Sequence, residues 1–191
     1  RYASRGLGDV YKRQHLNQTR NMRILPIFSI FLLSGFVANA QMISGVVNDY
    51  APVTAINAAD VTVITTTGFA QGDEVIVMQM KGATVEQVNT ADYGNVVDYH
   101  SAGLYEYSSI ASINGNIVTL SCPLQNNYDV SAGVQLIRVS SHTDVEISGA
   151  VTALPWDGSS GGVVAITASG TMTFNADINV SQQGFRGGEV C

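Results

Sequence analysis

Four tyrosines interleaved with acidic residues form the densest group of chemically useful side chains in the sequence. The group spans residues 92–107 and consists of Tyr93, Tyr99, Tyr105, Tyr107, Asp98, His100 and Glu106. A tyrosine offers an apolar ring face on which a sugar can stack and a polar tip, while carboxylates accept hydrogen bonds from sugar hydroxyls. This segment is therefore predicted to contact a glycan, and Trp156, the only tryptophan, is a further candidate contact.

The same aromatic residues also have a structural interpretation. Tyrosine is a favoured strand residue, and Tyr105 and Tyr107 stand two apart, so they would share one face of a strand. Trp156 would then fill the junction between two β regions instead of binding a ligand. Both interpretations stay open at the level of sequence.

Two glycine-rich stretches match functional motifs only in part. Residues 158–162 satisfy G-x-S-x-G, but a hydrolase nucleophile needs a strand before it and a helix after it, and the "VVAIT" that follows favours a strand. Residues 184–188 lack the G-K-[ST] ending of a phosphate-binding loop. Both are interpreted as turns, no catalytic residue is predicted, and the chain is predicted not to be an enzyme.

The carboxylates raise the possibility of a calcium site. Asp144, Glu146, Asp157 and Asp177 carry the hard oxygen ligands that calcium prefers, yet none has the spacing of a calcium-binding loop. We expect solvated carboxylates and no cofactor, with calcium as the alternative. His100 and His142 lack metal-ligand spacing to each other or to a cysteine, so no metal site is predicted there.

The N-terminal residues divide into two segments. Ser4–Gln14, "SRGLGDVYKRQ", resembles a sequencing adapter translated in frame, so residues 1–21 are assigned to adapter and upstream translation and excluded from the fold. Residues 22–40 have the pattern of a signal peptide, with cleavage between Ala40 and Gln41. Its apolar run, residues 24–38, is shorter than the roughly 20 residues that span a bilayer. A secreted or outer-surface protein without a membrane span in the mature chain is expected.

The charge of the mature segment disfavours nucleic acid as a partner. From Gln41 onward the chain has three Lys/Arg against fourteen Asp/Glu, a formal net charge of −11. Phosphate backbones are bound by neutralising Lys and Arg, which are scarce here. The two cysteines, Cys122 and Cys191, are not predicted to form a disulfide.

Short apolar runs separated by turn residues predict an all-β fold. The predicted strands are 61–65, 75–80, 134–139, 145–151, 163–167, 171–174 and 178–181. Asn114-Gly115 predicts a hairpin turn, and Ala83 to Gly103 is a long excursion or contains one short helix. We predict a small β-barrel or sandwich-like domain over residues 41–154. A Gly-rich β-solenoid or β-sandwich is predicted to start at 155–191, as the leading part of a larger protein.

Four sequence segments of the mature chain resemble segments found in one protein family. They are "GDEVIVMQMKGA", "YEYSSIASINGNIVTLSCPL", "VQLIRV" and "ALPWDGSSGGVVAITASGTMTFNADINVSQQGFRGG". Together they are similar to the N-terminal region of large exported adhesin-like proteins of Bacteroidota, of the type IX secretion or gliding-motility-associated type. The resemblance implies a multidomain protein of the cell surface or medium, and it transfers no site residues.

The predicted function is that of a non-catalytic N-terminal module of such a protein, with a structural or attachment role at an extracellular glycan or cell surface. One alternative is a carbohydrate-binding module. Another is the leading part of a β-solenoid enzyme that degrades polysaccharides, with its catalytic residues beyond Cys191.

Overall fold

A computed structural model describes residues 40–185, which belong to one compact unit. Thirteen strands and one 3-10 turn (Val130–Ala132) make up this part of the chain. The strands are β1 Gln41–Val46, β2 Tyr50–Asn57, β3 Asp60–Val63, β4 Glu74–Gln79, β5 Thr84–Val85, β6 Val96–Asp98, β7 Tyr105–Asn114, β8 Ile117–Leu120, β9 Val134–Arg138, β10 Ser140–His142, β11 Val145–Thr152, β12 Ile166–Ala168 and β13 Met172–Phe174. The all-β prediction is confirmed. Within residues 40–185 no helix has the length and hydropathy to cross a membrane.

Six strands close into a barrel in the order β2-β3-β8-β7-β4-β9, with β9 pairing back to β2. All of its pairings are antiparallel. Closure leaves no free strand edge inside the barrel, which removes a surface prone to pairing with other chains.

Two long strands make the closure possible because each bends at an irregularity and pairs with different neighbours on either side of it. β2 pairs with β9 through its first three residues and with β3 from Val53 onward, with a register shift between Val53 and Ala55. β7 pairs with β4 up to Ser109 and with β8 from Ile110 onward, with a shift between Ile110 and Ser112. A bulge bends a strand and increases its twist, so these two positions form the corners of the barrel.

The barrel interior is filled mainly by β-branched and aliphatic side chains of the strands, together with Phe69 from the loop between β3 and β4. The buried cluster consists of Ala51, Val53, Val61, Val63, Phe69, Val75, Val77, Ile110, Val118, Leu120, Val134 and Leu136. β4 is buried on both faces, as its continuous apolar run predicts. Val75 and Val77 point into this core, while Ile76 packs with Ile137 and Val139 in a second cluster outside the barrel.

The predicted hairpin is confirmed, with the turn one residue later than expected. Asn114 is the last residue of β7 and pairs with Ile117, so Gly115 and Asn116 are the two turn residues. Gly115 has φ +59°, a conformation that glycine adopts without steric cost. The excursion from Ala83 to Gly103 contains the two-stranded sheet β5-β6 and turns, with no helix.

The strands outside the barrel stack in parallel, as a solenoid requires. β10 pairs with β12 and β11 pairs with both β1 and β13. Ser140 lies opposite Ile166, 26 residues on, whereas Val145 lies opposite Met172 and Val151 opposite Ile178, each 27 residues on. Each of these offsets corresponds to the length of one coil, so successive coils stack on one another. Ile43, Val145, Ile147 and Val151 form the buried core of the stack.

The barrel is an insertion between two coils of this solenoid. β1 forms the first coil, residues 47–139 contain the barrel, and β11 then returns to lie beside β1. The parallel ladders consequently cross the boundary predicted at residues 154/155, since β10 and β11 precede it and their partners β12 and β13 follow it.

Candidate functional site

Tyr105 and Tyr107 form an exposed aromatic pair on the outer face of the barrel. They alternate along β7 with Glu106 and Ser108, which lie opposite the core residues Val77 and Val75 of β4 and so face the other way. The two rings are 56% and 60% exposed, and their centroids lie 6.0 Å apart at 79°, an edge-to-face arrangement. Each ring therefore supports the other while keeping a face open to solvent.

An apolar hollow of about 290 Å³ lies beside this pair. The register of β4 with β7 places Ile76 opposite Tyr107 and Met78 opposite Tyr105, which gives the floor of the hollow. Residues 163–166, which lead into β12, form its far wall. We call this space the apolar hollow; it is lined by Ile76, Met78, Tyr105, Tyr107 and residues 163–166.

A second hollow, of about 330 Å³, lies on the other side of Tyr107 and carries hydroxyl groups and a carboxylate. We call it the hydroxyl hollow; it is lined by Glu74, Tyr107, Ser108, Ser109, Ser121 and Cys122. Ser109 Oγ and Ser121 Oγ lie 2.7 Å apart, and Glu74 Oε2 accepts hydrogen bonds from Ser141 (2.6 Å) and Thr167 (3.1 Å). Tyr107 is thus the wall that the two hollows share.

Buried amide side chains hold the far wall of the apolar hollow against the barrel. Asn48 donates to the carbonyl oxygens of Arg138 (2.8 Å) and Ala165 (2.6 Å) and accepts from the Ala165 N–H (3.0 Å). Gln135 pairs in the same two-way manner with the backbone of Gly161, at 2.8 and 3.1 Å. The Tyr50 hydroxyl donates to the Val163 carbonyl oxygen. Such buried bonds fix the segment because an unpaired backbone group there would be costly.

Glu106 does not belong to the tyrosine site, although the sequence groups it with the tyrosines. Its carboxylate lies on the opposite face of β7 and accepts hydrogen bonds from the backbone N–H groups of Gln125 (2.8 Å) and Asn126 (2.6 Å) and from the Tyr128 hydroxyl (3.3 Å). Burial opposes ionisation of this carboxyl, but the backbone hydrogen bonds outweigh it and lower its pKa. Glu106 therefore anchors the loop after β8.

We expect Glu106→Gln to destabilise the protein modestly at neutral pH, by about 1 kcal/mol or less, because the amide oxygen can still accept from the loop N–H groups and only the charge is lost. Because the pKa of Glu106 is lower in the folded than in the unfolded protein, its charge stabilises the folded state. This contribution is complete above the unfolded-state pKa of about 4.3 and is lost as the pH falls through the folded-state pKa. The difference in melting temperature between the two proteins should hence shrink from pH 7 to pH 3. A difference that stays constant over this range would contradict the role given to the charge.

Tyr93 and Tyr99 lie on the excursion that carries β5 and β6, and neither lines the apolar or the hydroxyl hollow. Both are about two-thirds exposed. Beside them, Asp98 accepts from the His100 N–H at 2.9 Å, and its carboxylate lies 3.4 Å from His100 Nδ1. Among the described residues, the aromatic pairs are Tyr105–Tyr107 and Trp156–Phe185, so the structure brings together only two of the four predicted tyrosines.

Trp156 is buried, with 6% of its surface exposed, and its ring centroid lies 6.0 Å from that of Phe185. Its backbone N–H donates to the carbonyl oxygen of Gln183. A side chain so enclosed offers no open face on which a sugar could stack. Trp156 is consequently left out of the candidate site.

Three of the four carboxylates considered for calcium, those of Asp144, Glu146 and Asp157, accept hydrogen bonds from separate partners within the protein. Asp144 accepts from the Thr171 N–H, Glu146 from the Asn175 amide, and Asp157 from the Ser159 and Ser160 N–H groups and the Ser159 hydroxyl. Within residues 40–185 no three His, Cys, Asp or Glu side chains are grouped as metal ligands would be. The hydrogen bonds to Asp157 also show that the G-x-S-x-G stretch is a turn closed by this carboxylate, whose pKa they lower.

The remaining predicted positions lie at or beyond the ends of the described part. Ala40 is exposed, and Gln41 begins β1 with its side-chain oxygen 3.1 Å from Nδ1 of His142. The adapter-like segment and the signal peptide up to residue 39 lie outside the described residues, as do Cys191 and residues 186–188 of the second glycine-rich stretch. Cys122 is an exposed free thiol.

No family model and no curated protein matches the chain. Among solved structures it is similar to the Gp54 tailspike of Acinetobacter baumannii bacteriophage AP22, in complex with A. baumannii capsular saccharide. There the identity is 13% over 72% of this chain and 22% of the tailspike, with a TM-score of 0.37. The gp61 tailspike of Pseudomonas phage phi297 is 17% identical over 59% and 18% of the two chains (TM-score 0.35). The gp49 tailspike of Pseudomonas phage LKA1 is 14% identical over 60% and 20% (TM-score 0.30). The chain spans about a fifth of the length of these tailspikes.

Proposed function

We propose that this chain is a non-catalytic attachment module of a secreted or cell-surface protein and that it binds a saccharide through Tyr105 and Tyr107. The observation that carries the proposal is the exposed edge-to-face tyrosine pair set between two hollows. Sugar rings have apolar C–H faces that stack on aromatic rings, and such stacking needs a rigid, solvent-exposed ring. The signal-peptide pattern before Gln41 supports the extracellular location.

The hydroxyl hollow supplies the polar part of such a contact. Oε2 of Glu74 is held by Ser141 and Thr167, so the carboxylate is fixed in orientation, and no residue between 40 and 185 donates a hydrogen bond to Oε1. A fixed carboxylate and the Ser109 and Ser121 hydroxyls would form hydrogen bonds with the hydroxyls of a sugar stacked on Tyr107. Aromatic stacking on one side and directed polar groups on the other make a binding surface.

The absence of an acid–base pair around the tyrosines favours binding over hydrolysis. Most glycoside hydrolases place two carboxyl groups across the scissile bond. Among the described residues that line the two hollows, Glu74 is the one carboxylate. A structural role accompanies the binding role in this proposal, because the parallel coils that flank the barrel would form a stem that presents it.

The proposal is tested with the full chain on a glycan array, followed by titration calorimetry with the best ligand. Tyr107→Ala is expected to weaken binding about 10- to 100-fold, since it removes the stacking surface that both hollows share, and Tyr105→Ala about 10-fold. Tyr107→Phe should retain most of the affinity because the ring remains.

Tyr99→Ala is the matched control, since Tyr99 is similarly exposed (67% against 60% for Tyr107) but lies on the excursion. It should leave the affinity unchanged. Loss of binding in Tyr99→Ala with full binding in Tyr107→Ala would move the site to the excursion. Release of shortened oligosaccharides from the bound ligand would contradict the non-catalytic part.

A further inference from the structure

The third coil of the solenoid, which carries β12 and β13, has an open backbone edge. Its strands pair on one side with β10 and β11 of the second coil. Along an extended segment the polar groups of successive residues point to opposite edges. The Val163 carbonyl oxygen and both polar groups of Ala165 are bonded toward the barrel and β10. Val164 points the other way, and no residue between 40 and 185 is hydrogen-bonded to its N–H or its carbonyl oxygen.

The interior of the third coil is also partly uncovered. An apolar space of about 360 Å³ is lined by Val164, Ile166, Met172, Ile178 and Val180, and we call it the coil-end hollow. The first three of these side chains pack against the buried core of the stack, whereas Ile178 and Val180 remain 40% and 41% exposed. Unpaired backbone groups beside an apolar face form a template for one more strand.

The sequence repeats with the spacing of the coils just beyond the described part. Residues 187–191, "GGEVC", follow residues 161–165, "GGVVA", by 26 positions. The ladder between β10 and β12 has the same offset, since Ser140 lies opposite Ile166. Gly161 and Gly162 have φ +100° and +77°, a conformation that residues with a side chain rarely adopt. A second pair of glycines at this offset therefore indicates the same turn before another strand.

The end of the described chain lies beside the turn that precedes the strand of the third coil. The Trp156 N–H donates to the Gln183 carbonyl oxygen at 2.8 Å, and the Phe185 ring lies 6.0 Å from that of Trp156. A Cβ atom on Gly162 would lie 3.0 Å from the same Gln183 oxygen. The residues that follow Phe185 are thus within reach of the open edge without a long connection.

We infer that residues 187–191 form the first strand of a fourth coil and occupy the open edge at Val164. At an offset of 26, Val190 lies opposite Val164 and Cys191 lies opposite Ala165. The Val190 side chain then covers part of the coil-end hollow, as Val164 covers the core of the coil before. This inference concerns the stem, goes beyond saccharide binding and does not depend on the tyrosine pair.

The existing ladder specifies the hydrogen bonds of the added strand. Between β10 and β12 the Ser140 N–H donates to the carbonyl oxygen of residue 165, one position before the residue opposite it. By the same rule the Val164 N–H donates to the carbonyl oxygen of Glu189, and the Val164 carbonyl oxygen accepts from the N–H of Cys191. Both unpaired groups of Val164 are then satisfied.

The register is tested by disulfide formation in the full chain, with Cys122→Ser leaving Cys191 as the one thiol. Ala165→Cys places a second thiol opposite Cys191, where the strand spacing of about 4.8 Å suits a disulfide. Thr167→Cys is the matched control on the same face, about 8 Å from Cys191 and out of reach. In a glutathione redox buffer, which accepts the electrons, Ala165→Cys should crosslink at least about tenfold faster than Thr167→Cys.

The possible occupants of the edge give different products in this experiment. Equal crosslinking at the two positions, or no crosslink within one chain, would overturn the inference. A disulfide between two chains would assign the edge to a second copy and would overturn it as well. Saccharide binding on the glycan array is measured separately, so a failure of the tyrosine site leaves this result standing.

Hydrogen exchange at the Val164 amide is a second measurement, and it changes no residue of the third coil. This amide is expected to exchange at least about tenfold more slowly than an unpaired, solvent-exposed amide. Val190→Asp should remove the protection, because a carboxylate is costly to bury in the coil-end hollow. Glu189→Gln is the control, since alternation turns that side chain away from the hollow. An unprotected amide in the wild type, or protection that Val190→Asp leaves unchanged, would overturn the inference.

Discussion

Replacing Asn48 with alanine is expected to lower the free energy of unfolding by about 2–4 kcal/mol. Asn48 is almost fully buried, and its amide joins the end of β9 to residue 165 through three hydrogen bonds. In the variant the Ala165 N–H loses its partner in a position where water cannot replace it. Leaving a buried donor unsatisfied costs more than the average net value of a hydrogen bond, which is why the expected effect is large.

The measurement is chemical denaturation, combined with hydrogen exchange at the Ala165 amide. Exchange there should accelerate more than exchange in the barrel core, because the wall segment would open locally before the barrel does. Asn116→Ala is the control: Asn116 is exposed in the β7–β8 turn, makes one long bond of 3.4 Å to Ile64, and should cost no more than about 0.5 kcal/mol. If both variants lost the same free energy of unfolding, the buried Asn48 amide would contribute no more to stability than an exposed one.

Saccharide binding should fall with the same substitution, which links the fold to the proposed site. The wall of the apolar hollow is positioned by Asn48, Tyr50 and Gln135, and none of them contacts the hollow itself. A ligand that requires a fixed wall loses affinity when the wall is mobile, because the entropy lost on ordering the segment then reduces the free energy of binding. If binding proved indifferent to Asn48→Ala, the wall would not be part of the site.

The central strands of the barrel were predictable because their apolar residues are contiguous in sequence. The continuous apolar sequences of β4 and β9 predict buried strands, and Asn114-Gly115 predicts the hairpin between β7 and β8. β1 and β2 were not predicted. Their sequences, "QMISGV" and "YAPVTAIN", alternate weakly, and β1 and the first residues of β2 pair with strands roughly 90 to 100 residues away, so local pattern carries little information about them, although the rest of β2 pairs with the nearby β3.

The site was predictable only where it depends on strand periodicity. Two-residue spacing placed Tyr105 and Tyr107 on one face of β7, and the same rule separates Glu106 from them. The apolar hollow could not be anticipated, because its floor and wall come from β4 and residues 163–166, which only the closed barrel and the buried amides bring together. One signal existed: a β4 strand apolar on both faces requires something to cover its outer face.

Gly161→Ala is expected to destabilise the protein by about 3–5 kcal/mol, although the change adds one methyl group. Gly161 has φ +100°, which costs a residue with a side chain about 1–3 kcal/mol. A Cβ atom there would also lie 2.7 Å from the carbonyl oxygen of Pro155 and 2.9 Å from that of Leu154. The backbone must therefore shift, and both hydrogen bonds between Gly161 and Gln135 are disturbed by the shift.

Gly158→Ala separates the two causes, because Gly158 has nearly the same φ, +106°, with no atom within 4 Å of an added Cβ. In urea denaturation, Gly158→Ala should lose only the free energy of unfolding that comes from the positive φ. The difference in free energy of unfolding between the two variants then measures the steric clash and the lost pairing with Gln135. The pairing is then isolated in a Gln135→Ala background, where Gly161→Ala should cost less than in the wild type, as expected for residues in direct contact. Equal effects at Gly158 and Gly161 would mean that backbone conformation alone selects glycine, and that the G-x-S-x-G spacing owes nothing to the packing of this turn against the barrel.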